Sequence, residues 1–303
     1  MINHIITHPG GAHFDELLAI SLITASYKDI EFKIHRRKPT REELNNPEIW
    51  VVDVGNRFQP ELKNFDHHQD LNLCASFVLI ADFLELTEKL KAASWWNFKD
   101  RIDRVGPTAM AEELGIDKLS PLYSPFESWF LNLFSEDPQS VYEFIRKFGR
   151  DIIHQAELLE SQIQFWKSCK TINIKNKIII VGLTDDSGGL QEYCDSLTSP
   201  LDVSITYDRR GGGWRLYRFN DSKGVDFCRI KEYESISFAH YGGFIAKTKK
   251  RIPLNEVYKL IDFAIEEKLN KLSTQLETKP VQEKPVQEKP VQEKPVQEKP
   301  VQE

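Results

Sequence analysis

Ile2 to Thr7 is a short apolar run that breaks at Pro9-Gly10-Gly11, and Asp15 then opens a helical pattern through Leu17, Leu18, Ile20, Leu22 and Ile23. Strand, glycine-rich loop and helix in one short stretch form the opening of an α/β domain. An acidic residue is favourable at that helix start, because the N-terminus presents unpaired N–H groups and positive dipole. Residues 31–35 and 49–54 read as further strands, the second nearly all apolar, as a parallel strand covered on both faces should be.

The spacing predicts helix over 74–99, with Phe77, Ile80, Ala81 and Leu84 on its apolar face, and again over about 126–168. The texture then changes to strands at 178–182, 203–207 and 214–219, with a turn at Gly211–Gly213 and a closing amphipathic helix over 255–272. The expected organisation is an α/β fold. A parallel-sheet domain covers 1–125, a helical connector 126–170, a smaller α/β domain 171–272, and a tail 273–303. From Lys279 the tail is five copies of Lys-Pro-Val-Gln-Glu. One Val per repeat cannot bury apolar surface and the recurring Pro blocks a regular helix, so disorder is expected there.

Three strand ends carry chemistry. The first loop, Thr7-His8-Pro9-Gly10-Gly11-Ala12-His13-Phe14-Asp15-Glu16, sets two imidazoles and two carboxylates past a strand's carboxyl end, where open α/β sheets bind ligands. Its glycines allow a turn tight enough for His8, His13 and Asp15 to face one ion, and mixed nitrogen and carboxylate ligands suit Mn, Zn or Fe. Trp50-Val51-Val52-Asp53-Val54-Gly55 ends an apolar strand on a carboxylate that is costly to bury without a cation, an Arg or hydrogen-bond donors. Phe65-Asp66-His67-His68-Gln69 places two imidazoles side by side; on an extended chain they point to opposite faces. One then faces a metal while the other faces a substrate oxygen. Together the three predict one shared site.

Composition limits what that site acts on. The repeats net zero, so residues 1–278 carry the whole formal charge of −6, which argues against coating nucleic acid through a broad basic surface. A phosphate substrate stays open, because bound divalent cations supply local positive charge. Cys74, Cys169, Cys194 and Cys228 form no Cys-x-x-Cys pair, and the N-terminus shows no secretory pattern. Reduced thiols in a soluble, cytoplasmic protein are therefore expected, without a membrane partner.

The ordered motifs Thr-His-x-Gly-x-x-His-x-Asp-Glu at 7–16, Val-Val-Asp-Val-Gly at 51–55 and Asp-His-His-Gln at 66–69 resemble the melanocyte-proliferating-gene family of the DHH phosphoesterase superfamily. Ser237-Phe238-Ala239-His240-Tyr241-Gly242-Gly243-Phe244-Ile245 is similar to that family's His-x-x-Gly-Phe-Ile segment, and Gly212-Gly213-Trp214-Arg215 resembles the strand before it. The resemblance implies a DHH-type catalytic domain, a substrate-binding C-terminal lobe and two divalent ions between them, Mn first, with Mg, Zn or Fe as alternatives. It also implies 3′-5′ exonuclease-type hydrolysis of RNA or short oligonucleotides. By position, His8, His13 and Asp15 bind metal, Asp53 bridges both ions and acts in catalysis, and His67 holds the second ion. Asp66 stands at the metal site behind them, and His68 contacts phosphate. Ile102-Asp103 resembles the family's Ile-Asp-Ala-Ile-Asp-Asn-Gly stretch, which makes Asp103 the last expected ligand. The sequence continues Arg104-Val105-Gly106, without the family's second Asp and its Asn, and Asp100 is the substitute.

In the C-terminal lobe, His240, Gly242, Gly243, Lys247, Arg209 and Arg210 are expected to contact phosphate or a terminal nucleotide; the alternative is a solvated surface. Trp95, Trp96, Trp129, Phe165 and Trp166 are expected in the core or between lobes. The run Asp185-Asp186-Ser187-Gly188-Gly189 reads as a turn without chemistry. Rival readings are a small phosphoester or pyrophosphate hydrolase on the same site, a zinc deacetylase of the His-Pro-Asp-Asp-Glu type, and a non-catalytic metal-binding interaction protein. The oligomeric state is left open, a dimer included.

Overall fold

The computed structural model describes residues 2–119 and 124–266; the repeat tail lies outside the described residues. The first sheet has strands β1 (Ile2–Thr7), β2 (Glu31–Arg36), β3 (Ile49–Val52), β4 (Phe58–Gln59) and β5 (Asn64–Phe65) in the order β2-β1-β3-β5-β4. All pairs are parallel except β4 with β5. Its register positions the site. Thr7 pairs with Val52, and Val52 with Phe65, so the residues that follow, His8, Asp53 and Asp66, leave the same edge of the sheet side by side.

Helix α1 (Phe14–Ser26) is buried continuously from Asp15 to Ala25, which explains why its sequence is apolar nearly all round. Its two interior hydroxyls return to the backbone, Ser21 to the Leu17 carbonyl at 2.7 Å and Thr24 to the Ile20 carbonyl at 2.9 Å. The predicted helix over 74–99 is three pieces: α2 (Ser76–Phe83), α3 (Thr87–Leu90) and the start of α4 (Trp96–Leu114). Glu85 takes a positive φ of 58° at the first break. Within α4, Gly106 at φ 81° and Pro107 interrupt the helix directly after Asp103-Arg104-Val105, as a missing N–H and a left-handed residue must. A further single turn lies at Arg41–Leu44.

Helices α5 (Pro125–Glu136) and α6 (Tyr142–Ser168) fill the expected helical stretch. The latter is roughly 40 Å long at 1.5 Å per residue. Near its start it lies on α1, where a Cβ on Gly149 would stand 2.1 Å from the Ser21 carbonyl oxygen. At its end Trp166 is buried against Gly182 and donates to the Gly188 carbonyl at 2.7 Å. One helix thus reaches both cores.

The second sheet contains β6 (Lys170–Ile174), β7 (Lys177–Val181), β8 (Val203–Tyr207), β9 (Trp214–Arg218), β10 (Ile236–Ala239) and β11 (Ile245–Thr248), ordered β10-β11-β9-β8-β7-β6. Only β7 and β8 pair in parallel. Helix α8 (Leu254–Ala264) covers one face through Val257, Leu260 and Ile261. The short α7 (Leu190–Asp195) covers part of the other through Leu190 and Cys194. The closing helix is shorter than its apolar pattern, and the predicted stretch beyond Glu266 lies outside the described residues. The architecture is mixed α/β, with a parallel-rich first sheet. No helix among the described residues is long and apolar enough to cross a membrane.

Two aromatic expectations are corrected. Trp96 and Trp166 are buried, but Trp129 is 55% and Phe165 40% exposed. Helical spacing alone does not tell which turn of a helix meets a neighbour.

Candidate metal centre

Asp53 follows β3 with φ 57°. A left-handed, non-glycine residue costs about 1–3 kcal/mol and persists where its surroundings fix it. Its N–H donates to the Phe65 carbonyl at 2.9 Å, and its side chain is buried. The two carboxylate oxygens face different partners. Oδ2 lies 3.6 Å from Nε2 of His8, whereas Oδ1 lies 3.5 Å from Nε2 of His67 and accepts from the Ser76 hydroxyl at 3.1 Å.

His67 Nε2 is also 3.0 Å from Asp103 Oδ2 and 3.9 Å from Asp15 Oδ2. Asp15 is buried and accepts the backbone N–H groups of Ser76 at 2.9 Å and Phe77 at 2.6 Å, which open helix α2. Burial, then the nearby Asp53 and Asp103 carboxylates, push its pKa well above the usual carboxylate range. Burial alone would lower His67, but Asp103, Asp53 and Asp15 around it raise it to about 10.

On the other flank, burial alone would lower His8, and Glu16 at 3.0 Å with Asp53 raises it to about 9. Glu16 is fully buried. It accepts from Thr7, from Arg36 at 2.8 Å and from the His13 N–H at 3.1 Å. Burial would raise its pKa, yet His8, Arg36 and Thr7 hold it below the ordinary value. A buried charge needs such partners.

His8, His13 and Asp53 place ligand atoms within 4.8 Å of one another, as do Asp53, His67 and His68, and Asp15, His67 and Asp103. The buried Nε2 atoms of His8 and His67 nevertheless make no hydrogen bond. Buried polar atoms without partners are rare and require an explanation. Lone pairs of imidazole and carboxylate converging without hydrogen-bond geometry fit a divalent cation, which takes such donors and offsets their charge.

Asp66 stands outside these groups, because both of its oxygens are occupied. Oδ1 is 2.7 Å from Nδ1 of His68, and Oδ2 accepts the Asn56 N–H at 2.6 Å. The two adjacent imidazoles do not point to opposite faces: their centroids are 4.5 Å apart, since the strand ends at Phe65 and the chain turns. Asp100 faces elsewhere, accepting from the Ala75 N–H at 2.9 Å and from Arg104 at 2.7 Å. Asp103, one turn on, reaches His67.

Two cavities open on the cluster. One, of about 490 Å³, is lined by His8, His13, Asp53, Asp66 and His68 together with Lys38. The other, of about 470 Å³, is lined by His13, Asp15, His68 and Asp103 with Lys99. Arg209, Arg210 and Lys247 line a separate cavity on the second sheet, whose lining does not include His240, Gly242 or Gly243. His240 Nδ1 instead accepts the Gly242 N–H at 2.9 Å within its turn. Gly243 is required for packing, since a Cβ there would meet Asp226 Oδ1 at 2.0 Å. Ser76, Arg36 and Lys38 carry no recognisable role in the sequence alone. The available signals were a hydroxyl opening an apolar helix and a basic residue at a strand end.

Residues 4–73 match the model of the family described as MYG1_exonuc, Uncharacterised protein family (UPF0160). The family resemblance read from the first three motifs therefore holds over that segment. No curated protein matches the chain. Among solved structures, RecJ in complex with Mn²⁺ from Thermus thermophilus is similar at 14% identity and a TM-score of 0.32, over 86% of this chain and 52% of that one. An uncharacterized protein from Helicobacter pylori is similar at 10% identity and a TM-score of 0.23, over 86% of this chain and 99% of that one. The chain spans about half the length of the RecJ chain it matches.

Proposed function

From the premise that residues 4–73 carry the melanocyte-proliferating-gene (UPF0160) pattern, we propose that this chain is a divalent-metal-dependent phosphodiesterase acting on RNA or short oligonucleotides from the 3′ end. The observation that carries the reading is the Asp53 carboxylate, which turns Oδ2 toward His8 and Oδ1 toward His67. A carboxylate shared by two ligand groups would suit two neighbouring ions. His8 and His13 with Asp53 would hold one ion, and Asp15, His67 and Asp103 with Asp53 the other. Mn²⁺ is the first candidate and Mg²⁺, Zn²⁺ or Fe the alternatives. When bound, two such ions lower the pKa of a water and clamp phosphoryl oxygens during in-line displacement.

The chain's own groups supply the rest. His68 lines both cavities with its side chain 54% exposed and its Nδ1 fixed by Asp66. That hydrogen bond raises the His68 pKa, which favours the imidazolium as a proton donor to a phosphoryl or leaving oxygen. The Pro9 carbonyl holds His8 Nδ1 at 2.9 Å, and the Glu16 carboxylate, held by Arg36 and Thr7, stands 3.0 Å from its Nε2. Lys38 adds a cation to the lining of the first cavity, whereas Lys99 in the lining of the second is paired with Glu127 at 2.9 Å.

The test is hydrolysis of 5′-labelled RNA, single-stranded DNA, dinucleotides, pyrophosphate and an acetylated sugar, each with Mn²⁺, Mg²⁺, Zn²⁺ or EDTA, beside Asp53→Ala. Stepwise metal-dependent shortening of RNA, lost in the variant, supports the reading. Turnover of pyrophosphate alone would narrow it to a small-phosphate hydrolase, and deacetylation alone would sink it.

A further inference from the structure

The loop between His8 and His13 is held from outside, at its backbone. Arg36 closes β2 and pairs with Thr7 across the parallel ladder. Its Nη2 donates to the Gly10 carbonyl at 3.0 Å, while Nη1 donates to Glu16 at 2.8 Å. Only 6% of that side chain is exposed, too little for a solvated cation that reaches a phosphate. The Phe134 ring of α5 lies 5.0 Å from the guanidinium carbon and backs it.

The next residue of α5, Ser135, acts on the other side of Gly11. Its hydroxyl donates to the Leu131 carbonyl one turn back at 2.9 Å, which leaves the oxygen free to accept. The Ala12 N–H donates to that oxygen at 2.7 Å, and the His13 N–H donates to Glu16 at 3.1 Å. Side chains of β2, α5 and α1 therefore fix three backbone groups between the two imidazoles.

The loop has little of its own to hold it. Gly10, at φ 91°, and Gly11 have no side chain to pack, and a Cβ at either would meet nothing within 4 Å. His13 is exposed, so packing does not set its ring, which stands 5.0 Å from that of His8. A ligand placed by its backbone depends on what anchors that backbone, and supporting contacts of this kind change metal affinity about 10- to 100-fold. Ser135 and Arg36 line neither cavity at the cluster. The second ligand group is anchored differently: Asp15 accepts the first N–H groups of α2, and Asp103 reaches His67 from α4.

We propose that Ser135, with Arg36 as its counterpart, is a positioning residue for the ion held by His8, His13 and Asp53, and that it does not act on the ion at Asp15, His67 and Asp103. The inference rests on the two-ion reading of the centre and names the residue that sets the affinity of one ion alone.

The test is Mn²⁺ calorimetry on the full chain, with His13→Ala and Asp103→Ala identifying the two binding steps. Ser135→Ala should weaken the step missing from His13→Ala about tenfold and leave the other at its wild-type affinity. Ser135→Thr keeps the hydroxyl and should restore the weakened step. Arg36→Lys, which loses the fork spanning Gly10 and Glu16, should weaken the same step. Electron paramagnetic resonance at equal Mn²⁺ loading should show a spin-coupled pair in wild type and Ser135→Thr, and more single-ion signal in Ser135→Ala. Equal weakening of both steps, with a lower thermal midpoint in EDTA, would make Ser135 a folding contact and overturn the proposal. Two wild-type steps in Ser135→Ala would also overturn it, and would leave the phosphodiesterase reading standing. A wild type with a single step or none would refute the two-ion centre, and the proposal with it. Selective weakening in a protein whose wild type hydrolyses no phosphodiester would support the positioning role and refute the phosphodiesterase.

Discussion

Asp53 is costly in three ways at once: it is charged, buried and left-handed in its backbone. Helix-capping would need none of these together, whereas bridging two ligand groups uses all three. The imidazoles beside it make a pH prediction. In the metal-free chain, carboxylates overcome burial and hold His8 up to about 9 and His67 up to about 10. A metal takes the neutral imidazole, so uptake near neutral pH must release protons. Calorimetry in two buffers of different ionisation heat should give different apparent heats, and affinity should climb with pH; equal heats would refute the protonated state. The same raised values stabilise the metal-free fold below the ordinary His pKa of 6.5, and that contribution is lost as pH rises through about 9 to 10. Support residues give a second prediction. Glu16→Gln keeps a neutral acceptor beside His8 but loses the charge between His8 and Arg36, and should weaken metal binding about 10- to 100-fold. Unchanged affinity by metal titration would assign Glu16 to folding alone.

Among the elements, α1 and α6 approach so closely that only a hydrogen fits at residue 149. Gly149→Ala places a methyl group 2.1 Å from the Ser21 carbonyl oxygen, against backbone that cannot swing aside. Overpacking of this kind costs about 1–3 kcal/mol, and the thermal midpoint should fall accordingly. An unchanged midpoint would mean that the two helices can separate freely. Helix α2 has a different dependence. Its first N–H groups are satisfied by Asp15 from α1, so the same carboxylate that stands in the ligand cluster also anchors a helix. Asp15→Ala should therefore lower both metal affinity and metal-free stability, the latter by about 0.5–2 kcal/mol, as loss of a helix cap does. Denaturant midpoints measured in EDTA separate the two effects.

Across the whole molecule, the donors of one centre come from three strand ends, α1 and α4, so bound metal ties together segments from residue 8 to residue 103. A ligand that binds only the folded chain adds about 2.7 kcal/mol at a hundredfold excess over its dissociation constant. Mn²⁺ should raise the thermal midpoint and EDTA should reverse it; Asp53→Ala should show neither shift. A wild-type midpoint indifferent to Mn²⁺, Zn²⁺ and Mg²⁺ would contradict the metal centre.

The strands near 2–7, 31–36, 49–52, 177–181, 203–207 and 214–218, the loop chemistry and the family pattern were legible because they are local, whereas β4, β6, β10 and β11 carry no continuous apolar run and were not. Apolar runs ending on His8, Asp53 and Asp66 are visible one segment at a time, and 203–207 forms a strand as its apolar run indicates. What lay beyond reach depends on register and on turns. The pairing of Thr7 with Val52 and of Val52 with Phe65 brings the three ends together, and no residue by itself encodes its distant partner. The turn after Phe65 directs His67 inward to three carboxylates and leaves His68 to Asp66, where an extended chain would have opposed them. The resemblance pointed to Asp103 with Asp100 as the substitute, but the direction of α4 that turns Asp103 to His67 and Asp100 to Ala75 and Arg104 comes from tertiary packing. Likewise Ala12 and Ser135 are far apart in sequence, and only the packing of α5 against the first loop brings them to 2.7 Å. Sequence by itself determined which residue types could hold metal and phosphate; tertiary structure decided which of them meet, because long-range pairing and chain direction are cooperative properties of the whole fold.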